Sequence, residues 1–167
     1  MTGKTHLLGG AATAVGLAIL RQPASGDLMR QALQVATSSI LCLPGSILPD
    51  IDLPTSMVGS GSRLLSVPIN KLFGHRGFFH SAAFAILPIL VVYILAPDRL
   101  WAAIALSAGI VSHIILDSIN TAGVALLWPW KKRIHVIGIP MGGMGEVAVK
   151  AMLFCGIVLL VSIHFVS

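Results

Sequence analysis

The feature that most constrains this chain is a series of apolar stretches, each near the length of a bilayer crossing and separated by short polar segments. They cover residues 7–20, 32–48, 78–97, 101–120 and 147–166. A helix needs ~20 apolar residues to cross ~30 Å of hydrocarbon. The last three stretches reach that length. The first two are shorter, so they tilt little, thin the bilayer locally or lie partly buried among the others. Of the 167 residues 56% are hydrophobic and 10% charged, against about 25% charged in soluble domains. The pattern predicts one all-α domain over residues 1–167, a polytopic transmembrane helical bundle of about five spans.

The formal net charge of +5 calls for no nucleic acid, because the basic residues sort by loop. With five spans, Lys4, Arg63, Lys71, Arg76, Lys131, Lys132, Arg133 and Lys150 fall on one side, and Arg21, Arg30 and Arg99 on the other. The positive-inside rule then sets the N-terminus in the cytoplasm and the chain in the inner (plasma) membrane. The first stretch follows Lys4 and has the form of a signal-peptide core. It is followed by Arg21-Gln-Pro with no A-x-A-like cleavage site, so it reads as part of the mature protein. Cys42 and Cys155 lie in apolar stretches and read as small hydrophobes, not as a disulfide framework.

Against this background the ionisable residues inside the spans stand out. The run WAAIALSAGIVSHIILDSINTAG, residues 101–123, carries His113 and Asp117 one helical turn apart on one face. A charged group at the bilayer centre costs ~2.5–3.5 kcal/mol on insertion scales, so such a pair asks for a partner, most simply a metal ion. The second span ends in GSILPDIDLPTS, where Pro49 stops the helix and displays Asp50 and Asp52. Extended, these two acids diverge; in a tight turn they converge, so a solvated turn and a metal-binding pair are both open. Residues 62–72 suit an interfacial helix. FGHRGFFHSAAF leads into the third span, and a helix beginning near Gly77 puts His80 about one turn inside it, with His75 and Arg76 in the preceding loop. Arg76 suits either a phosphate or the lipid headgroups.

His6 sits at the mouth of the first span, as a solvated side chain or a ligand. Residues 138–146 read as flexible, and Glu146 opens the last span as a helix-terminal acid or a site residue. Pro23, Gly26 and Asp27 suit an outer turn, Trp128, Trp130 and Lys131–Arg133 suit an interface anchor, and His164 at the outer end has no expected role. The up-and-down order places His6, Asp50, Asp52, His75, His80, His113, Asp117 and Glu146 at one end of successive helices. Mixed imidazole and carboxylate donors fit zinc, with manganese or iron as alternatives, better than calcium or magnesium, and leave room for one or two ions.

GSILPDID, HRGFFHS and SHIILDSINTAG resemble the three signature segments of the YdjM-type family of inner-membrane proteins, which are described as metal-dependent hydrolases and linked by name to LexA. The resemblance runs from Thr5-His6 to Glu146. It implies His6, Asp50, His75, His80, His113 and Asp117 as metal-site candidates. The His-x-x-x-Asp helix is also similar to that of zinc-dependent phospholipase C enzymes, through that one short pattern.

The expectation is a membrane-embedded metal-dependent hydrolase acting on an ester or phosphoester of a lipid or lipid-linked phosphate at the cytoplasmic leaflet. His113, Asp117, His80 and Asp50, with His6, would hold the metal. Asp52, His75 or Glu146 would act as general base or acid, and Arg76 would face the anionic group. Two other classes use the same residues or loops differently: an ion or proton transporter, and a non-catalytic anchor for a cytoplasmic protein partner.

Overall fold

The computed structural model describes residues 1–21 and 28–166. Pro23, Gly26 and Asp27, and the side chain of His164, lie outside the described residues. The described chain is all-α: α1 Gly3–Arg21, α2 Leu28–Ile47, α3 Met57–Gly61, α4 Arg63–Phe73, α5 Ala82–Leu95, α6 Leu100–Ile119 and α7 Met144–Val166. Among the described residues three apolar segments are long enough to cross a membrane, namely Leu28–Asp52, Pro97–Ile119 and Met144–Ile163. α1 has 19 residues and α5 has 14. A helix does form where one was expected at 62–72, as α4, preceded by the single turn α3.

The bundle is built on α1, α2 and α6, with α5 against α6 and α7 against α1. Small residues let the three central helices approach closely. A Cβ on Gly45 would lie 2.3 Å from the Leu106 carbonyl oxygen, one on Gly109 2.3 Å from that of Cys42, and one on Gly10 2.5 Å from Ser46 Oγ. Helices in lipid associate through such close backbone packing, because lipid tails are as apolar as the side chains. Ala14, Cys42 and Ala105 fill the centre, and Cys42 Sγ donates to the Ala105 carbonyl at 3.1 Å. Outward, α5 and α7 expose Leu90, Ile94, Phe154 and Leu159, a surface that only lipid covers without penalty.

Two local departures from the sequence expectation matter for the site. The third apolar helix begins at Ala82, not near Gly77, because the Ser81 hydroxyl caps it by accepting from Phe84 N. His80 therefore sits in a 3-10 turn over Phe78–His80, in front of the helix. Asp50 and Asp52 lie in a second 3-10 turn, Leu48–Asp52, that continues α2 with Pro49 in its first positions. The tight-turn alternative for the two acids is the one the chain adopts. Residues 120–143 fold back across this end of the bundle, with Val124 and Ile134 exchanging two backbone hydrogen bonds at 3.0 and 2.8 Å.

Candidate metal centre

The starts of α1 and α7, the ends of α2 and α6 and the turn before α5 meet at one end of the bundle. Close packing of α1, α2 and α6 at Gly10, Gly45 and Gly109 fixes the heights of His6, Asp50 and His113 relative to one another. His113 is fully buried, and its Nδ1–H donates to the Ser46 carbonyl at 2.7 Å. His80, equally buried, donates from Nδ1 to Asp52 Oδ2 at 3.1 Å. Each ring thus presents its Nε2 lone pair inward, and the two Nε2 atoms face each other at 3.1 Å. Two acceptors at that separation are stable only with a shared cation, a proton or a metal ion.

Two carboxylates complete the surroundings. Asp50 Oδ1 lies 3.8 Å from His80 Nε2 and 3.7 Å from His113 Nε2. Asp117 Oδ2 lies 3.6 and 3.9 Å from the same two atoms. A tetrahedral ion with bonds of ~2.0–2.2 Å holds its ligand atoms ~3.3–3.6 Å apart, so this donor set fits a small divalent ion after shifts of a few tenths of an ångström. Three overlapping groups have ligand atoms within 4.8 Å of one another: His6, His113 and Asp117; Asp50, His80 and His113; Asp52, His75 and His80.

Asp52 stands outside the facing pair. Its Oδ1 accepts from His75 Nδ1 at 2.7 Å, and its Oδ2 accepts from His80 Nδ1 and from Arg76 N at 3.0 Å. A carboxylate so occupied orients imidazoles and fixes their tautomers. The His75 side chain is 30% exposed, the Asp50 side chain 15%. Both line a cavity of about 240 Å³ together with Arg76, Thr55 and Ser56. On its other side His75 borders a groove of about 540 Å³ with Lys71, Trp128, Trp130, Lys131 and Arg133.

Arg76 differs most from its expected place. It is buried, with a left-handed backbone at φ 64°, and its Nη2 lies 3.1 Å from Asp117 Oδ2. The reading in which Arg76 meets lipid headgroups at the interface is therefore corrected: the guanidinium points into the cluster, and its Nε has no protein partner. Such a backbone in a non-glycine residue costs ~1–3 kcal/mol and persists where the surroundings enforce it. Here the Arg76 N–H to Asp52 and the guanidinium contact to the Gly123 carbonyl at 3.3 Å do so.

Glu146 lies at the same end but apart from these donors. Its Oε1 accepts from Thr2 N at 2.7 Å, Thr2 Oγ1 at 2.6 Å and Thr5 Oγ1, and its Oε2 from Gly142 N at 2.7 Å. It pins the start of α7 to the first turn of α1. His6, one residue beyond Thr5, is buried, stacked on His113 at 3.7 Å between centroids and 14° between planes.

A family model described as YdjM inner membrane protein matches residues 1–166. The chain belongs to the YdjM family. It is similar to inner membrane protein YdjM of Escherichia coli (strain K12), 36% identical over 154 residues, covering 86% of this chain and 74% of the relative. It is also similar to the uncharacterized protein YvsG of Bacillus subtilis (strain 168), 32% identical over 136 residues, covering 81% and 78%. Inner membrane protein YbcI of E. coli (strain K12) is 37% identical over 94 residues, covering 51% and 49%. No solved structure matches. With the E. coli relatives YdjM and YbcI named for the inner membrane and three helices among the described residues able to cross a membrane, this YdjM-family chain is an inner-membrane protein.

In this YdjM-family chain the three segments that carry the sequence resemblance supply the site between them: GSILPDID gives Asp50 and Asp52, HRGFFHS gives His75, Arg76 and His80, and SHIILDSINTAG gives His113 and Asp117. Sequence reasoning missed the Ser46 carbonyl, Thr2 and Thr5. The two threonines had a readable sign, since a hydroxyl at each of two positions spaced by one turn marks a helix start; the carbonyl had none.

Proposed function

We propose that the chain is a membrane-embedded, metal-dependent hydrolase that acts on an ester or phosphoester of a lipid or lipid-linked phosphate, with its site toward the cytoplasmic leaflet and its N-terminus cytoplasmic. One observation carries the reading: His80 Nε2 and His113 Nε2, both buried, face each other at 3.1 Å with Asp50 and Asp117 beside them. In this reading those four residues hold the metal, and imidazole with carboxylate suits zinc, manganese or iron. When bound, the ion supplies Lewis acidity to the scissile group and to a water molecule.

The chain's own residues do the rest. His75, held through Nδ1 by Asp52, keeps Nε2 free at the cavity beside Asp50 and carries a proton to or from the reacting oxygen. Arg76 Nε, without a protein partner, and its guanidinium charge receive the anionic group. Lys71, Lys131 and Arg133 draw an anionic headgroup along the groove, while Trp128 and Trp130 suit the aromatic belt at the headgroup level. Glu146 serves here as a positioning residue, since both its oxygens are engaged by Thr2, Thr5 and Gly142.

The test is elemental analysis of the purified protein, followed by turnover of phosphatidic acid, phospholipids and polyprenyl phosphates in mixed micelles. The expected result is bound divalent metal and hydrolysis of at least one phosphate ester, both lost in His113→Ala and Asp117→Ala with helicity intact. Metal content unchanged in both variants would overturn it.

A further inference from the structure

The His80 and His113 pair leaves one buried imidazole unexplained. His6 is fully buried, and neither of its ring nitrogens has a hydrogen-bond partner. A buried polar group left unpaired costs ~1–3 kcal/mol, so a ring held in this state points to something it is shaped to bind. Its Nε2 meets Asp117 Oδ1 at 3.3 Å, poorly aligned for a hydrogen bond, and its Nδ1 meets no polar atom among the described residues. His6 does not share the His80 side of the cluster: its ring lies flat on the face of His113, and it meets the opposite oxygen of Asp117.

The two oxygens of Asp117 thus face different partners. Oδ2 faces His80 Nε2, His113 Nε2 and Arg76 Nη2, at 3.6, 3.9 and 3.1 Å. Oδ1 faces His6 Nε2 and, in this structure, the ammonium group of Met1. Oδ1 is the carboxylate oxygen that the first ligand set does not use. A carboxylate shared in this way is the usual bridge of two-metal hydrolytic sites, in which the second ion serves the attacking or the leaving oxygen.

We propose that Asp117 bridges two divalent ions, one held by His80, His113 and Asp50, the other by Asp117 Oδ1 and His6. The inference rests on the metal-centre reading above and adds a second, separable site to it. It assigns His6 to an ion of its own instead of a fifth position on the first.

Manganese reports the difference without any assay of turnover, because two ions bridged by a carboxylate couple magnetically and an isolated ion gives resolved hyperfine lines. The full chain, purified in detergent and stripped with a chelator, is loaded with Mn²⁺, passed over a desalting column and measured for manganese per chain and by electron paramagnetic resonance. The expected result is two ions per chain with a coupled spectrum, and in His6→Ala one ion with an isolated spectrum. His6→Leu, which keeps much of the ring's volume and offers no donor atom, gives the same loss and stands in if the alanine variant does not fold by circular dichroism and size exclusion. One ion per chain in the parent protein, with an isolated spectrum, overturns the second site and leaves the first. Two ions retained in both His6 variants also overturn the assignment. No manganese in the parent protein overturns the metal centre and this inference together.

Discussion

His75 is held by Asp52: its Nδ1 donates to Asp52 Oδ1 at 2.7 Å, while the other oxygen of the same carboxylate takes Nδ1 of His80 at 3.1 Å. One acid therefore orients both the ring that faces the candidate metal site and the ring that faces the cavity. Asp52→Asn keeps the shape and removes the charge. The expected loss is ~10–100-fold in metal affinity and in turnover, the range for residues behind the ligands of a metal site. Competition with a metal-sensitive dye measures the affinity, and an unchanged value would show that the two rings need no such support.

Glu146→Ala separates positioning from chemistry. Thr2 N, Thr2 Oγ1, Thr5 Oγ1 and Gly142 N all lose their acceptor, and a buried donor left unpaired costs ~1–3 kcal/mol. The expected outcome is a lower unfolding temperature in detergent, with the ions at His80 and His113 retained and the pH profile of any remaining turnover unchanged. A folded, fully metal-loaded Glu146→Gln protein with a displaced pH profile would instead put the carboxylate in the reaction.

What could be read in the sequence, and what could not, divides along physical lines. Helices and their order were legible because apolar length alone marks a span: the expected 101–120 is Leu100–Ile119 and the expected 147–166 is Met144–Val166. His113 and Asp117 were legible because helical spacing fixes which side chains share a face. The division of labour between Asp50 and Asp52 was not, since it depends on the direction of one 3-10 turn and on donors more than twenty residues away. Arg76 looked like a rim residue, and its burial follows from a backbone conformation and a contact to Gly123 that no local pattern encodes. Of the partners of Glu146, Thr2 and Thr5 lie at the far end of the chain.

Close packing of α2 on α6 carries a prediction about the scaffold. A Cβ at Gly109 would meet the Cys42 carbonyl oxygen at 2.3 Å, backbone against backbone, whereas nothing lies within 4 Å of one at Gly16. Gly109→Ala is expected to destabilise by ~1–3 kcal/mol, the cost of overpacking a tight contact, and to loosen the metal site that the packing positions. Gly16→Ala, in the middle of α1, is expected to be neutral or stabilising by up to ~1 kcal/mol. Thermal unfolding of both variants in one detergent is the comparison, and equal midpoints would remove the argument from close approach.

Lys71 and Lys131 line the groove beside His75 without touching the facing histidines. Near an anionic surface a basic residue contributes ~1 kcal/mol, about fivefold in apparent affinity. Lys71→Ala with Lys131→Ala is therefore expected to raise KM for an anionic lipid phosphate by ~25-fold in vesicles rich in anionic lipid, with kcat nearly unchanged. High salt shrinks the difference, because exposed charges are screened over ~8 Å at physiological ionic strength and over less above it. A fall in kcat at constant KM would place these lysines in the chemistry and not in recruitment.

Metal removal should weaken the fold as well as any activity. Without a cation, two buried Nε2 lone pairs face each other at 3.1 Å beside Asp50 and Asp117, and the Arg76 guanidinium meets Asp117. An ion that binds the folded chain alone stabilises it by ~2.7 kcal/mol at a hundredfold excess over its dissociation constant. Chelation is expected to lower the unfolding temperature of the purified protein, and stoichiometric zinc or manganese to restore it. In a His80→Ala, His113→Ala variant the facing nitrogens are gone, so the effect of the chelator on its midpoint should shrink to what an ion at His6 contributes, and in a variant that also carries His6→Ala it should vanish. If the parent protein unfolds at the same temperature with and without chelator while holding metal beforehand, the ion sits elsewhere, because an ion between these four side chains cannot leave without exposing their repulsion.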